Sequence, residues 1–183
     1  TPLIPLFTRH GLEIFHVERL PIHGGSLRIF AAHRGAEAIR SSVGELLAKE
    51  DAMGVAGAAY YRRFSERAER VRADLIEFLD EQSRLGRRVA GYGASAKGST
   101  LLNYVGDAAC SIEFIADRST YKQGKLSPGL HRPIVSAEAL AERAPHYAVL
   151  LVWNFAEEVM RQQLAYREKG GRFVIPLPSL RVV

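Results

Sequence analysis

The run from Gly91 to Thr100, GYGASAKGST, constrains this chain more than any other stretch. Arg88-Val89-Ala90 leads into it as a short apolar strand, the glycines impose a tight turn, and Ala96 to Tyr104 reads as the helix that follows. Strand, glycine turn and helix N-terminus in that order aim unpaired backbone N–H groups and the positive end of the helix dipole at one spot, which makes an anion site. A turn of this kind belongs between a buried strand and its crossover helix, so the rest of the chain should read as an α/β sheet.

The downstream sequence has that alternation. Ser111 to Ala116 is a second strand that ends at Asp117. An irregular stretch, DRSTYKQGKLSPGLHRP, leads to a third short strand at Ile134-Val135, after which Ser136 is placed to cap a helix carrying Ala139 and Leu140. Tyr147 to Val152 is a continuous apolar run, the mark of a central parallel strand buried on both faces. Asn154 follows it, then a helix from Phe155 to Lys169 broken by Gly170-Gly171, and Arg172 to Ile175 as the last strand. Strands and helices at this spacing predict an α/β fold, a doubly wound, Rossmann-like parallel sheet spanning residues 87–183.

The chain before the glycine turn reads differently. Thr1 to Gly11 has the character of a helix end, with Leu3, Leu6 and Phe7 on one face. Leu12 to Val17 and Leu27 to Ala31 are strands on either side of LPIHGGS, a turn built on Gly24 and Gly25. A hairpin does not hold itself together in water, so residues 1–32 are expected to belong to a domain whose body lies elsewhere. Ala36 to Glu50 reads as a helix. A longer one from about Tyr60 to Leu85 carries Phe64, Ala68, Val71, Leu75 and Phe78 at an amphipathic period. Residues 33–86 are thus a helical connector.

Composition narrows the function classes. The 183 residues, 47% of them apolar, suffice for a proper core, and no run is long and apolar enough for a membrane span. The start, TPLIPLF, has neither the basic region nor the cleavage site of a signal peptide, and beginning at Thr1 suggests a piece cut from a longer chain. The single cysteine, Cys110, rules out a disulfide framework within these residues, points to the cytoplasm, and reads as a buried, inert thiol. Six scattered histidines lack the spaced partners of a metal site. The net charge of +5 comes with Glu66, Glu69, Asp74, Glu77, Asp80 and Glu81 interleaved among the basic residues, the pattern of a solvated helix face rather than of a nucleic-acid stripe.

Gly91, Gly93 and Ala96 fit G-x-G-x-x-A, and Asp117 follows at about the distance of a ribose-binding acid in a dinucleotide fold. Ser95, Lys97, Gly98, Ser99 and Thr100 add hydroxyls and an ammonium at the helix start, which suits an anion better than a standard NAD site. Tyr121 and Lys122, in the YKQGK loop after the second strand, and Asn154, past the buried strand, fall at the strand ends where open α/β sheets bind ligands. Asn154 has the alternative of capping the next helix, and the loop that of being merely polar. His23 is a candidate acid, base or donor, though lone histidines are more often structural. There is no nucleophile elbow, zincin motif or Walker lysine.

Three segments together, LPIHGGSLRIFA, GYGASAKGSTLLNY and IADRSTYKQGKLSPGLHRPI, resemble the C-terminal part of S-adenosylmethionine-dependent C-methyltransferases. Members of that family act on nucleotide-linked deoxysugars such as dTDP-ketosugars. The resemblance implies that residues 1–32 finish a methyltransferase domain, and that the zinc-binding cysteines, the S-adenosylmethionine loop and a Tyr-x-Glu-His motif lie upstream. It also implies a reaction by deprotonation beside a keto group and attack of the enolate on the donor methyl. On that reading these 183 residues carry no catalytic residue, need no cofactor of their own and do not methylate alone. Their partners are a nucleotide-sugar and the rest of the methyltransferase chain, with oligomers possible and neither nucleic acid nor membrane involved. The substrate-binding set is Gly91, Gly93, Ser95, Lys97, Gly98, Ser99, Tyr121, Lys122, Asn154 and His23. The alternatives are a ligand-free scaffold or dimerisation domain and an NAD-dependent oxidoreductase, the latter requiring Asp117 to face the crevice above Gly93.

Overall fold

The computed structural model covers residues 1–183, and the side chain of His23 lies outside what it describes. The chain forms two compact units, Thr1–Glu66 and Arg67–Val183.

In the first unit α1 (Leu3–Arg9) leads into an antiparallel hairpin of β1 (Leu12–Leu20) and β2 (Ser26–His33), followed by α2 (Ser41–Met53). The hairpin register shifts between Ile14 and His16. The carbonyl of Phe15, the extra residue there, accepts from the Arg40 N–H at 2.8 Å, just before α2 begins. Ser42 Oγ lies 2.8 Å from His16 Nδ1 and accepts from the Val17 N–H at 3.3 Å, while the His16 ring stacks on Phe30. Ile14 and Val43 are the buried apolar side chains of this unit among the described residues. So thin a core gives a two-stranded sheet little support. α2 starts at Ser41 and not near Ala36: Gly35 (φ 78°) forms a turn after β2, and Arg40 is still extended, its N–H donating to the Phe15 carbonyl.

The helix α3 (Ala58–Arg84) runs from the first unit into the second. Of its predicted apolar stripe, Leu75 and Phe78 are buried, joined by Leu79, whereas Phe64 is exposed.

The second unit is a mixed α/β structure around a six-stranded sheet. Its strands are β3 (Val89–Tyr92), β4 (Ile112–Ala116), β5 (Ile134–Val135), β6 (Tyr147–Leu150), β7 (Arg172–Ile175) and β8 (Arg181–Val182), in the spatial order β5-β4-β3-β6-β7-β8. All neighbouring pairs are parallel except β7 with β8. Side chains alternate between two cores. Val89, Val149 and Val174 meet Leu75 and Leu79 of α3 and Leu101, Leu102 and Val105 of α4 (Ala96–Val105). Ala90, Tyr92, Ala148, Leu150 and Phe173 meet Leu140 of α5 (Ala139–Arg143), Val159 of α6 (Ala156–Gln162) and Tyr166 of α7 (Leu164–Glu168). The sheet is therefore covered by helices on both faces, as near-continuous apolar parallel strands require.

Several local readings change. The helix expected from Phe155 to Lys169 is two helices, α6 and α7, separated at Gln163, whose Nε2 donates to the Tyr92 hydroxyl at 3.2 Å. Ser136 does not cap α5; its carbonyl takes the Ala139 N–H, and no side chain caps that helix. Cys110 is exposed, because it lies in a 3-10 turn (Gly106–Ser111) that precedes β4 rather than in the strand itself. The edge strand β8 extends the sheet beyond Ile175.

Candidate functional site

The sheet order reverses between β3 and β6: the chain goes one way to β4 and β5, the other way to β6, β7 and β8. The helix after β3 packs in one core and the helix after β6 in the other. At such a switch point the strand ends leave a crevice, the usual place for ligands in open α/β sheets. Most of the expected residues converge there.

Gly93 follows β3 with φ +90°, and a Cβ on it would lie 2.6 Å from the branches of Val152. Only glycine suits both the backbone angle and the space. Ser95 caps α4: its Oγ accepts from the Gly98 N–H at 3.0 Å and donates to the Leu151 carbonyl at 3.0 Å, tying the helix start to the end of β6. Gly98 is buried, packed so closely on Leu151 that a Cβ there would lie 2.6 Å from the Leu151 Cβ. Ser99 continues the turn through its N–H to the Ser95 carbonyl. The backbone N–H groups of Ala96 and Lys97 have no protein acceptor among the described residues, as expected at an open helix N-terminus. Gly91 lies deeper, buried in β3 against Leu151 and Ile115, where it allows close packing.

Lys97 reaches across the crevice. Its ammonium donates to Oδ1 of Asn154 and lies 4.6 Å from the Trp153 ring centroid and 6.0 Å from that of Phe155. Asn154 therefore partners Lys97 from a 3-10 turn (Trp153–Phe155), and no side chain caps α6. Partial burial pushes the Lys97 pKa below its ordinary 10.5, since desolvation disfavours the charged form. Between the lowered and the ordinary value the unfolded chain binds more protons at this site, so its contribution to stability rises with pH through that window. We expect the ε-carbon resonance of Lys97, assigned by its loss in Lys97→Arg, to titrate below the ordinary lysine range in a carbon NMR series. A midpoint at or above 10.5 would remove the desolvated environment.

Asp117 holds the turn from the side of β4. It is 8% exposed; Oδ2 accepts from the Ala94 N–H at 2.6 Å and Oδ1 from the Ser119 N–H at 2.8 Å. Lys122 Nζ donates to the Ala94 carbonyl at 2.8 Å and lies 3.4 Å from Asp117 Oδ2. Tyr121, by contrast, is 80% exposed, with the Lys125 ammonium over its ring at 3.4 Å. His23, in the first unit's hairpin turn, has its side chain outside the described residues.

Beside the Lys97 cluster is a cleft of about 280 Å³ whose walls include Tyr92, Val152, Phe155 and Val159, with Asp117, Arg118, Glu158 and Gln162 among its lining. Sequence reading passed over most of these residues. Phe155, Glu158, Val159 and Gln162 fall on one helical face by spacing, which was the available signal.

A parallel-rich α/β domain with its crevice at the switch point of the sheet is the class that this geometry defines. Within that class, the chain belongs to the C-methyltransferase C-terminal domain family, whose model matches residues 21–178. It is 42% identical over 182 residues to the C-methyltransferase NovU of Streptomyces niveus, an alignment that takes in 99% of this chain and 43% of that protein. The chain thus spans less than half the length of this curated relative. Among the described residues, no helix is long and apolar enough to cross a membrane, and no cluster of three or more His, Cys, Asp or Glu side chains is placed to hold a metal ion.

Proposed function

We propose that this chain is the C-terminal part of an S-adenosylmethionine-dependent C-methyltransferase that acts on a nucleotide-linked ketosugar of the dTDP type. On this reading residues 1–32 complete the methyltransferase domain, 33–86 connect, and 87–183 are a Rossmann-like domain that helps hold the nucleotide-sugar without taking part in the chemistry. The order of the sheet, 3-2-1-4-5-6 when its strands are numbered from β3, supports the Rossmann-like assignment. A single unpaired cysteine suits a cytoplasmic enzyme.

The observation that carries the proposal is the ammonium of Lys97 beside the glycine turn and the open start of α4, a cationic setting for a pyrophosphate. The same setting is a poor seat for the sulfonium of the methyl donor, so donor binding and the base belong to the rest of the parent chain. Ser95, Gly93, Gly98 and Ser99 shape the cradle, Lys122 and Asn154 flank it, and the exposed Tyr121 reaches the ligand only at its periphery. Both oxygens of Asp117 are engaged by backbone N–H groups, which weighs against a ribose-binding role and hence against an NAD-dependent oxidoreductase.

Calorimetry with dTDP tests the proposal. Loss of a charge-assisted hydrogen bond, about 1.5–3 kcal/mol, should weaken binding at least tenfold in Lys97→Ala. Equal affinity in both proteins would remove Lys97 from the site, and no binding to either would favour the ligand-free scaffold.

A further inference from the structure

We propose that two copies of this chain pair antiparallel along α3, through a charged stripe that is its own complement under a two-fold axis. Such pairing does not depend on what the crevice binds. Arg63, Arg67, Arg70, Asp74, Glu77 and Glu81 follow one another at alternating spacings of four and three residues. At 3.6 residues per turn, that spacing sets all six along one side of the helix. The stripe is basic in its first half and acidic in its second, and the halves mirror each other about Arg72. Arg70 and Asp74 stand two residues either side of it, Arg67 and Glu77 five, Arg63 and Glu81 nine.

A two-fold interface brings residue i of one copy to residue j of the other, and j to i. Two α3 helices laid antiparallel and crossing at Arg72 therefore set every arginine of the stripe against a carboxylate of the second copy. A parallel pair in register would set like on like. Arg72 itself is turned away from the stripe: its guanidinium lies over the Tyr104 ring at 5.6 Å, and its Nε donates to the Tyr104 carbonyl at 2.7 Å.

Within one copy these charges are not matched. Among the described residues none of the six forms an ion pair, although Arg70 and Asp74 have the i,i+4 spacing that favours one. Arg63 meets only the Met53 carbonyl, and Glu81 only the amide of Gln82. The acidic half also borders a groove of about 370 Å³, where Asp74, Glu77, Glu81 and Arg84 surround the apolar Phe78 and Leu180. An arginine from a second copy suits such a groove, because its stem covers apolar surface while its guanidinium meets carboxylates. Single exposed ion pairs are weak, so the association rests on the whole stripe and is sensitive to salt.

Sedimentation equilibrium of the full chain tests this. Between about 0.01 M and about 1 M salt the screening length falls from about 30 to about 3 Å, and the dimer should weaken at least tenfold. Arg67→Glu and Glu77→Arg change exposed side chains, and each should give a folded monomer by circular dichroism. Mixing the two variants should restore the dimer, because each copy then supplies the charge the other lacks. Arg70→Glu with Asp74→Arg repeats the cycle nearer the axis, and Arg62→Glu, just outside the stripe, should leave association within twofold of the unmodified chain. A chain that stays monomeric at low salt, or a dimer indifferent to both reversals, overturns the proposal. Two monomeric variants that fail to associate on mixing overturn the antiparallel register, and with it the pairing.

Discussion

Gly93→Ala is expected to lower the melting temperature of the Arg67–Val183 unit by roughly 10 °C. Two costs add at this position. A side chain at φ +90° pays backbone strain of about 1–2 kcal/mol, and a Cβ placed 2.6 Å from both Val152 branches adds about 1–3 kcal/mol of overpacking. For a unit of this size each kcal/mol moves the midpoint by about 4 °C. Gly86→Ala separates the two terms, since Gly86 has φ +64° and open space around it. It should cost the strain alone, about 1 kcal/mol. Adding Val152→Ala to Gly93→Ala should recover part of the crowding, a coupling that a double-mutant cycle measures. Trp153 emission is the suitable probe, because a chain of two units need not unfold in one step. A Gly93→Ala midpoint no lower than that of Gly86→Ala would show that Val152 yields without cost.

Asp117→Ala should be nearly as damaging by another route. Its carboxylate satisfies the N–H groups of Ala94 and Ser119, at 2.6 and 2.8 Å, and truncation leaves both without an acceptor. Hydrogen bonds to a charged group contribute about 1.5–3 kcal/mol each, so the pair sums to about 3 kcal/mol or more. Asp117→Asn keeps one acceptor oxygen but turns an amino group towards the other donor, and should cost about half as much. Lys122→Ala removes a partly exposed ammonium and should cost less than about 1 kcal/mol. Hydrogen exchange at Ala94 gives an independent reading: its amide should lose protection in Asp117→Ala and keep it in Lys122→Ala. Equal stability of the two alanine variants would refute the bridging role.

The parts of this structure that were legible in the sequence are those written in local pattern. The apolar run at Tyr147 to Val152, the glycine turn after β3 and the Gly170-Gly171 break each mark an element boundary within a few residues, so strands and helices could be placed in order. What escaped depends on distant partners. The interruption at Gln163 has no glycine or proline to announce it, and there the side chain meets Tyr92, 71 residues away. The two-residue strand β8 pairs an arginine with a single valine, whereas the equally short β5 is marked by its apolar pair Ile134-Val135. Cys110 was read as buried because the residues after it are strand-like, yet the strand begins at Ile112 and the turn before it faces solvent.

The site divides in the same way. That the glycine turn leads into an open helix N-terminus follows from chain-local chemistry. That Lys97 meets Asn154 across 57 residues does not. Asp117 was singled out by spacing as a ribose acid, and its two backbone partners could not be read from that spacing. The cleft residues Arg118, Phe155, Glu158 and Gln162 were passed over because no single segment contains the pocket; it exists only where two strand ends and a helix converge.

The clasp of Ser95 on both Gly98 and Leu151 has a consequence for how such a domain can change over generations. It fastens the two sides of the crevice at backbone level, so the width of the opening does not depend on what lines it. Arg118, Phe155 and Glu158 are exposed and lie outside both buried clusters. Mutational drift at these rim positions can therefore change the lining of the cleft at little cost in folding, while the scaffold that frames it stays constant.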